Sequence, residues 1–266
     1  MSFSRKFILI CTAIGIFLLL LIILTQKKTI PLSKKQLQKE LNINTPIDKM
    51  RKLPLSGTIF ISGIKKPFGI SAPLSTIYIS SLEAKILYAI TDGKPQYIAR
   101  GDGVTDVLEK EDGTLYYTIM NENKLMERDP QGVEKVIRSD LSGPQGVARN
   151  PEGTFYVTNY FNGTVVSMTE EGKGKRVLAE NIAGPAGIAY RQLDKSVIVA
   201  SYAGNAVVVI SSFFTKTIPV KKLTHLRSIM ATPQNTFLVT ATLNKKGVIA
   251  EVKEDGTYVL RARTNL

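Results

Sequence analysis

One histidine stands in the whole 266-residue chain. His225 lies in the stretch Lys221-Lys222-Leu223-Thr224-His225-Leu226-Arg227, where it could act as a general base beside Arg227. A Ser/His/Asp triad would have to use the same His225, and the chain has no Gly-x-Ser-x-Gly elbow to expose its nucleophile. The single cysteine, Cys11, falls inside an uncharged apolar run, away from the water that supports a reactive thiolate. Together these counts exclude a multi-His metal centre, a cysteine zinc site and a disulfide framework within this chain. The plainer reading of His225 is an exposed loop residue between repeats. That reading is the expected one, and no catalytic residue is assigned.

A second group of residues suits recognition rather than bond making. Asn121, Asn123, Asn159, Tyr160, Phe161, Asn162, Tyr202 and Asn205 fall at matching points of successive sequence units. Asparagine offers adaptable hydrogen bonds and tyrosine offers rigid contact area, the mixture found in recognition loops. The alternative is that Asn and Gly satisfy tight turns while the aromatic rings cover strand edges. Tyr160-Phe161 is the sharper case, because a turn needs no pair of adjacent aromatics. The ligand-binding residues expected are Asn159, Tyr160, Phe161, Asn162, Tyr202 and Asn205. Asn162-Gly163-Thr164 is also a glycosylation triplet, of a kind common enough by chance to carry little weight.

These residues must be positioned by a repeat. From Leu53 onward, short runs rich in Val, Ile, Tyr, Thr and Phe alternate with Gly, Pro, Asn and Asp turns, and no long helical period appears. The segment at 143–168 matches that at 184–210, and weaker copies lie at 66–90, 102–129 and 226–252. Equivalent positions are Gly69, Asp106, Gly146, Gly187 and Ser228, spaced by 37, 40, 41 and 41 residues. Each unit holds four strand candidates; in the third they are GVAR, TFYVTN, TVVSM and KRVLA. Four short antiparallel strands per unit predict an all-β propeller blade, whose faces are covered only when blades stack radially. Five repeats are visible and six short blades remain open. The strand at 57–62 precedes the first motif and could pair with the last blade.

The Pro-x-Gly start, the Asp/Glu-Gly-x-apolar-Tyr-Val hairpin and the following Asn-containing turn resemble NHL-type repeats. They are also similar to the wider group of gluconolactonase-like, strictosidine-synthase-like and virginiamycin B lyase-like propellers. The resemblance covers residues 56–266 and is strongest over 143–210. It implies a divalent metal on the channel axis, held by Asn, Asp and Glu from loops at the channel mouth. The x of Pro-x-Gly is one such position, and here it carries Phe68, Thr105, Gln145, Ala186 and Arg227. The position after the second strand carries Ser81, Ile119, Asn159, Ser201 and Ala241. Neither ring supplies the oxygen donors and negative charge that a hard cation wants. No metal and no cofactor are therefore expected. The function expected is a binding or scaffold module for a protein or a small polar ligand. The alternative is a lactonase- or lyase-type enzyme with a degenerate metal site.

Residues 7–24 are uncharged and apolar, which at 1.5 Å per residue covers about 27 Å, the thickness of a bilayer core. No small-x-small cleavage site follows, so an uncleaved single-pass anchor is predicted over 7–25, after a tail at 1–6. A basic linker at 26–52 has capping-box spacing at Ser33 and Gln36, and reads as a stalk or as a helix on anionic headgroups. The propeller over 53–266 is expected on the non-cytoplasmic side, since long domains cross largely regardless of charge. The chain holds 35 Lys+Arg against 22 Asp+Glu, a formal +13. Ten basic and two acidic residues lie in 1–55, leaving 25 and 20 for 56–266. Most of the excess flanks the apolar run, and the basic clusters of the repeat region sit on turns of different units. Membrane attachment is expected, and nucleic acid is not.

Overall fold

The computed structural model describes residues 64–71, 76–91 and 94–263. The predicted anchor, linker and strand 57–62 lie outside the described residues. Among those described, no helix is long and apolar enough to cross a membrane. Within the described residues, twenty strands form five four-stranded antiparallel sheets, each in simple sequence order. Blade 1 comprises β1 (Pro67–Ser71), β2 (Ile77–Ser81), β3 (Ile86–Thr91) and β4 (Lys94–Arg100). Blade 2 comprises β5 (Val104–Glu109), β6 (Leu115–Ile119), β7 (Lys124–Arg128) and β8 (Glu134–Arg138). Blade 3 comprises β9 (Pro144–Arg149), β10 (Phe155–Asn159), β11 (Thr164–Met168) and β12 (Arg176–Ala179). Blade 4 comprises β13 (Pro185–Arg191), β14 (Ser196–Ser201), β15 (Ala206–Ile210) and β16 (Thr215–Pro219). Blade 5 comprises β17 (Ile229–Ala231), β18 (Phe237–Leu243), β19 (Lys246–Val252) and β20 (Tyr258–Arg263). The repeat is thus a five-bladed β-propeller, and the four strand candidates of the third unit fall on β9 to β12.

The central strands read as unbroken apolar runs because both faces of a blade are buried. In β6, Tyr117 packs into the core shared with blade 1, while its neighbour Tyr116 packs into the core shared with blade 3. In β15, Val207 and Val209 face blade 5, and Val208 and Ile210 face blade 3. The period-2 alternation of a strand therefore feeds two cores at once. Four such inter-blade cores result, each built from fully covered Val, Ile, Leu, Phe or Tyr side chains that contribute about 1.5–3 kcal/mol apiece.

The Pro-x-Gly motif is the joint between blades. It falls where the register of the first strand shifts against the second, between Pro67 and Ile70 in β1 and between Pro185 and Ile188 in β13. The glycine N–H freed by this bulge is accepted by a hydroxyl on the second strand: Ser80 Oγ from Gly69 (2.9 Å) and Thr158 Oγ1 from Gly146 (2.8 Å). The same hydroxyl donates to the next blade, Ser80 to the Thr105 carbonyl (3.3 Å) and Thr158 to the Ala186 carbonyl (2.6 Å). Thr118 repeats the arrangement between Asp106 N–H (3.2 Å) and the Gln145 carbonyl (3.3 Å). In blade 4 the position is Ala200, and Gly187 N–H donates straight to the Arg227 carbonyl at 2.7 Å. In blades 1, 3 and 4 glycine stands at the joint because the neighbouring carbonyl comes so close. A Cβ at Gly146 would stand 2.7 Å from the Ala186 oxygen, and one at Gly187 would stand 2.6 Å from the Arg227 oxygen.

Candidate functional site

The five first strands surround a central cavity of about 740 Å³. Its wall includes Phe68, Thr105, Asp106, Gln145, Gly187 and Arg227, so the channel-mouth positions predicted from the motif do converge, with the buried Ala186 set behind the wall. At blade 5 the cavity is also lined by Leu238, Thr240 and Ile249, so it reaches between the last blade and the first.

The turns joining second to third strands lie at the end of the blades where the first strands begin, as the pairing of Asn159 with Pro144 and of Ser201 with Pro185 shows. Tyr160 N–H donates to the Gly143 carbonyl (2.9 Å) and Tyr202 N–H to the Gly184 carbonyl (2.8 Å), the same turn in adjacent blades. Each tyrosine is thereby fixed at the same height, and their rings meet edge to face with centroids 6.2 Å apart. Phe161 extends the row beyond Tyr160 at 6.1 Å, and stays 60% exposed. On the other side, the Arg227 guanidinium lies 5.0 Å from the Tyr202 ring centroid and 4.3 Å from that of Phe68. Phe161, Tyr160, Tyr202, Arg227 and Phe68 thus make a continuous arc drawn from blades 3, 4, 5 and 1. His225, exposed, rests its ring 4.8 Å from that of Tyr202.

The asparagines serve the turns. Asn159 is 4% exposed; its Oδ1 accepts from Ser142 N–H (3.1 Å) and its Nδ2 donates to Thr164 Oγ1 (3.1 Å). Asn205 adopts φ 51° and its Oδ1 accepts from His225 N–H (2.9 Å). Asn123 does the same for Gly143 N–H at 2.8 Å. Exposed Asn162 accepts from Thr164 Oγ1 at 2.9 Å. Of the six predicted binding residues, Tyr160, Phe161 and Tyr202 present side chains as contact area, while Asn159 and Asn205 are committed to holding the rim. Sequence reasoning placed Phe68 and Arg227 at the mouth as failed metal donors. The approach of Arg227 to the rings of Phe68 and Tyr202 was the missed feature, and nothing in the spacing of the three residues signals it.

Charge in the cavity wall is unbalanced. Asp106 holds its carboxylate between Val107 N–H (3.0 Å) and Val147 N–H (3.1 Å), and burial pushes its pKa up to about 6. Arg149 donates to Glu170 at 3.0 Å, beside Lys110 (2.6 Å) and the Tyr116 hydroxyl (2.9 Å), and these partners hold Glu170 below the usual carboxylate range against its burial. Arg227 has no carboxylate within ion-pair distance among the described residues. Its Nη1 is buried without a hydrogen-bond partner, and so is Oε1 of Gln145, a residue only 7% exposed. Thr105 Oγ1 is already bonded to Thr118 Oγ1 (2.9 Å) and to the Pro144 carbonyl (3.2 Å). A hard divalent cation does not fit here, since the one nearby carboxylate is tied to backbone and the ring contains a cation. Among the described residues, no group of three or more His, Cys, Asp or Glu is placed to hold a metal.

No protein-family model and no curated protein matches the chain in sequence. Solved structures do match in fold. Virginiamycin B lyase from Staphylococcus aureus is 18% identical with a TM-score of 0.61, over 75% of this chain and 71% of that one. A chain of a nidogen/laminin complex is 14% identical with a TM-score of 0.65, over 76% and 81%. A putative gluconolactonase is 14% identical with a TM-score of 0.64, over 77% and 80%. At these identities the likeness is one of fold. It matches the propeller expected from the repeat.

Proposed function

We propose that this chain is a recognition module: a propeller, attached to a membrane through residues 7–25 and facing its non-cytoplasmic side, that engages a protein or small polar ligand at the aromatic mouth. The observation that carries the reading is the arc itself. Tyr160, Phe161 and Tyr202 come from two blades, pack ring to ring, leave Phe161 60% exposed, and reach the cavity wall through Tyr202 against Arg227. Rigid aromatic area bordering a concavity is where binding energy concentrates. The structural relatives include two enzymes and a chain from a protein complex, so the fold itself leaves the role open. The mouth residues favour binding over the lactonase or lyase alternative, because the only carboxylate in the wall among the described residues is engaged by two backbone N–H groups.

The test uses the full chain with an affinity tag, crosslinked in its own cells. Replacing Tyr160 and Phe161 with Ala together is expected to abolish partner capture and to lower the melting temperature only slightly. Undiminished capture would remove this assignment. A melting curve that responds to calcium, magnesium or manganese would support the enzyme alternative instead.

A further inference from the structure

Three polar atoms of the cavity wall are buried without a hydrogen-bond partner, Gln145 Oε1, Arg149 Nε and Arg227 Nη1, and the first and last of them specify a ligand chemistry. Arg227 is a permanent cation whose guanidinium carbon lies 4.3 Å from the Phe68 ring centroid and 5.0 Å from that of Tyr202. The guanidinium is a planar fork of N–H donors, the geometry that matches a carboxylate bidentately. Nη1 on that fork is buried and makes no hydrogen bond. A buried cation donor without an acceptor costs free energy unless something arrives to accept from it.

Gln145 lines the same cavity, 93% covered, and its Oε1 is the opposite orphan, an acceptor without a donor. The two atoms are complementary, yet they do not bond each other. Between them in the ring of motif positions stands Ala186, which contributes only a methyl group. The charged residues of the wall are Asp106, Arg149 and Arg227. Arg149 is paired with Glu170, and the Asp106 carboxylate accepts from two backbone N–H groups, so among the described residues Arg227 is the cation of the wall without an ion-pair partner. A cavity of about 740 Å³ lies within the size range of small-molecule sites.

We infer that the mouth binds a carboxylate-bearing small molecule, with the carboxylate on the edge of Arg227 and an adjacent N–H or O–H donating to Gln145 Oε1. This rests on the recognition reading above and names its ligand class. One planar cation and one neutral acceptor suit a monoanionic carboxylate with a neighbouring donor. A phosphate dianion would call for more positive charge or a row of backbone N–H groups. A free acid and a chain end both present this carboxylate, and a small probe tests the shared chemistry.

The full chain, solubilised in detergent and labelled with nitrogen-15 at arginine, is titrated with N-acetyl-L-alanine, with neutral N-acetyl-L-alaninamide and with inorganic phosphate. The Arg227 side-chain signal is identified by its loss in Arg227→Gln. It is expected to shift saturably with N-acetyl-L-alanine and to stay still with the amide. Gln145→Leu, which leaves Arg227 and its rings in place, is expected to weaken binding about tenfold, the value of one hydrogen bond. An Arg227 signal unmoved at on the order of 50 mM carboxylate overturns the proposal. Phosphate binding as tightly as the carboxylate also overturns it. If the carboxylate fails while the Tyr160/Phe161 double variant still loses partner capture, the recognition surface stands and only the ligand class falls.

Discussion

The guanidinium of Arg227, in the last blade, lies 4.3 Å from the ring centroid of Phe68, in the first. The other blade junctions are clipped by hydrogen bonds: a Ser or Thr hydroxyl at the first three, and Gly187 N–H to the Arg227 carbonyl at the fourth. Between blades 5 and 1 the described contact is a cation over an aromatic face. Phe68→Leu keeps apolar volume but removes the ring, and should cost about 1 kcal/mol. Urea unfolding measures it. A loss as large as that from deleting a buried clip would show that Phe68 does more than cover Arg227.

Thr158 is the clip at the centre of the ring. Thr158→Val leaves Gly146 N–H and the Ala186 carbonyl unpaired in a buried joint, and the expected loss is about 2–4 kcal/mol. Thr240, whose hydroxyl accepts from Ser228 N–H at 3.0 Å, should cost about 1 kcal/mol when changed to Val. Gly146→Ala tests the same joint sterically, since its Cβ would meet the Ala186 oxygen at 2.7 Å; about 3 kcal/mol is expected. Equal losses for Thr158→Val and Thr240→Val would contradict the clip.

Asp106 gives the propeller a pH signature. Its folded pKa, pushed up to about 6 by burial, lies above the ordinary 3.8 that an unfolded chain would show. Between these values the folded state holds more protons, so this group's contribution to stability falls as pH rises from about 4 to about 6 and is level above that. Asp106→Asn should flatten the dependence over this window. Chemical unfolding at pH 4, 5, 6 and 7 checks it, and an unchanged slope in the variant would assign the dependence elsewhere.

Arg191 pins blade 4 to blade 5 at the end away from the mouth. Its side chain is 5% exposed and donates to Asp194 (2.6 Å), Glu254 (2.7 Å), Asn235 (3.0 Å) and Ser196 (3.0 Å), over the Phe237 ring. Arg191→Leu should cost about 3 kcal/mol. Arg191→Lys should recover little of it, because an ammonium cannot reproduce a fork that serves four partners. Thermal unfolding of the two variants decides, and full rescue by Lys would reduce Arg191 to a point charge.

The blade repeat was legible because Pro-x-Gly is a local device with a fixed spacing, and bulge plus close carbonyl approach permits few substitutes at the glycine. The clip was not legible, since a threonine inside an apolar strand reads as ordinary β-propensity. Tyr160 and Phe161 were legible as a pair, while Asn159 and Asn205 looked equally suited to a ligand. What separates them is that their amide oxygens find backbone N–H groups of neighbouring turns, a long-range fact. Arg227 read as a gap in a donor ring. Its neighbour Tyr202 reaches it from the adjacent blade, and Phe68 only across the junction of the last blade with the first.

The central claim is that binding occurs at the mouth. A photoreactive benzoylphenylalanine placed at position 161, at the rim, or at position 213, which is 95% exposed on a turn at the opposite end of blade 4, tests it directly in intact cells. The account predicts a discrete adduct, read by mass spectrometry, from position 161 and none from position 213. Adducts from position 213 alone, or the same adducts from both, would contradict it.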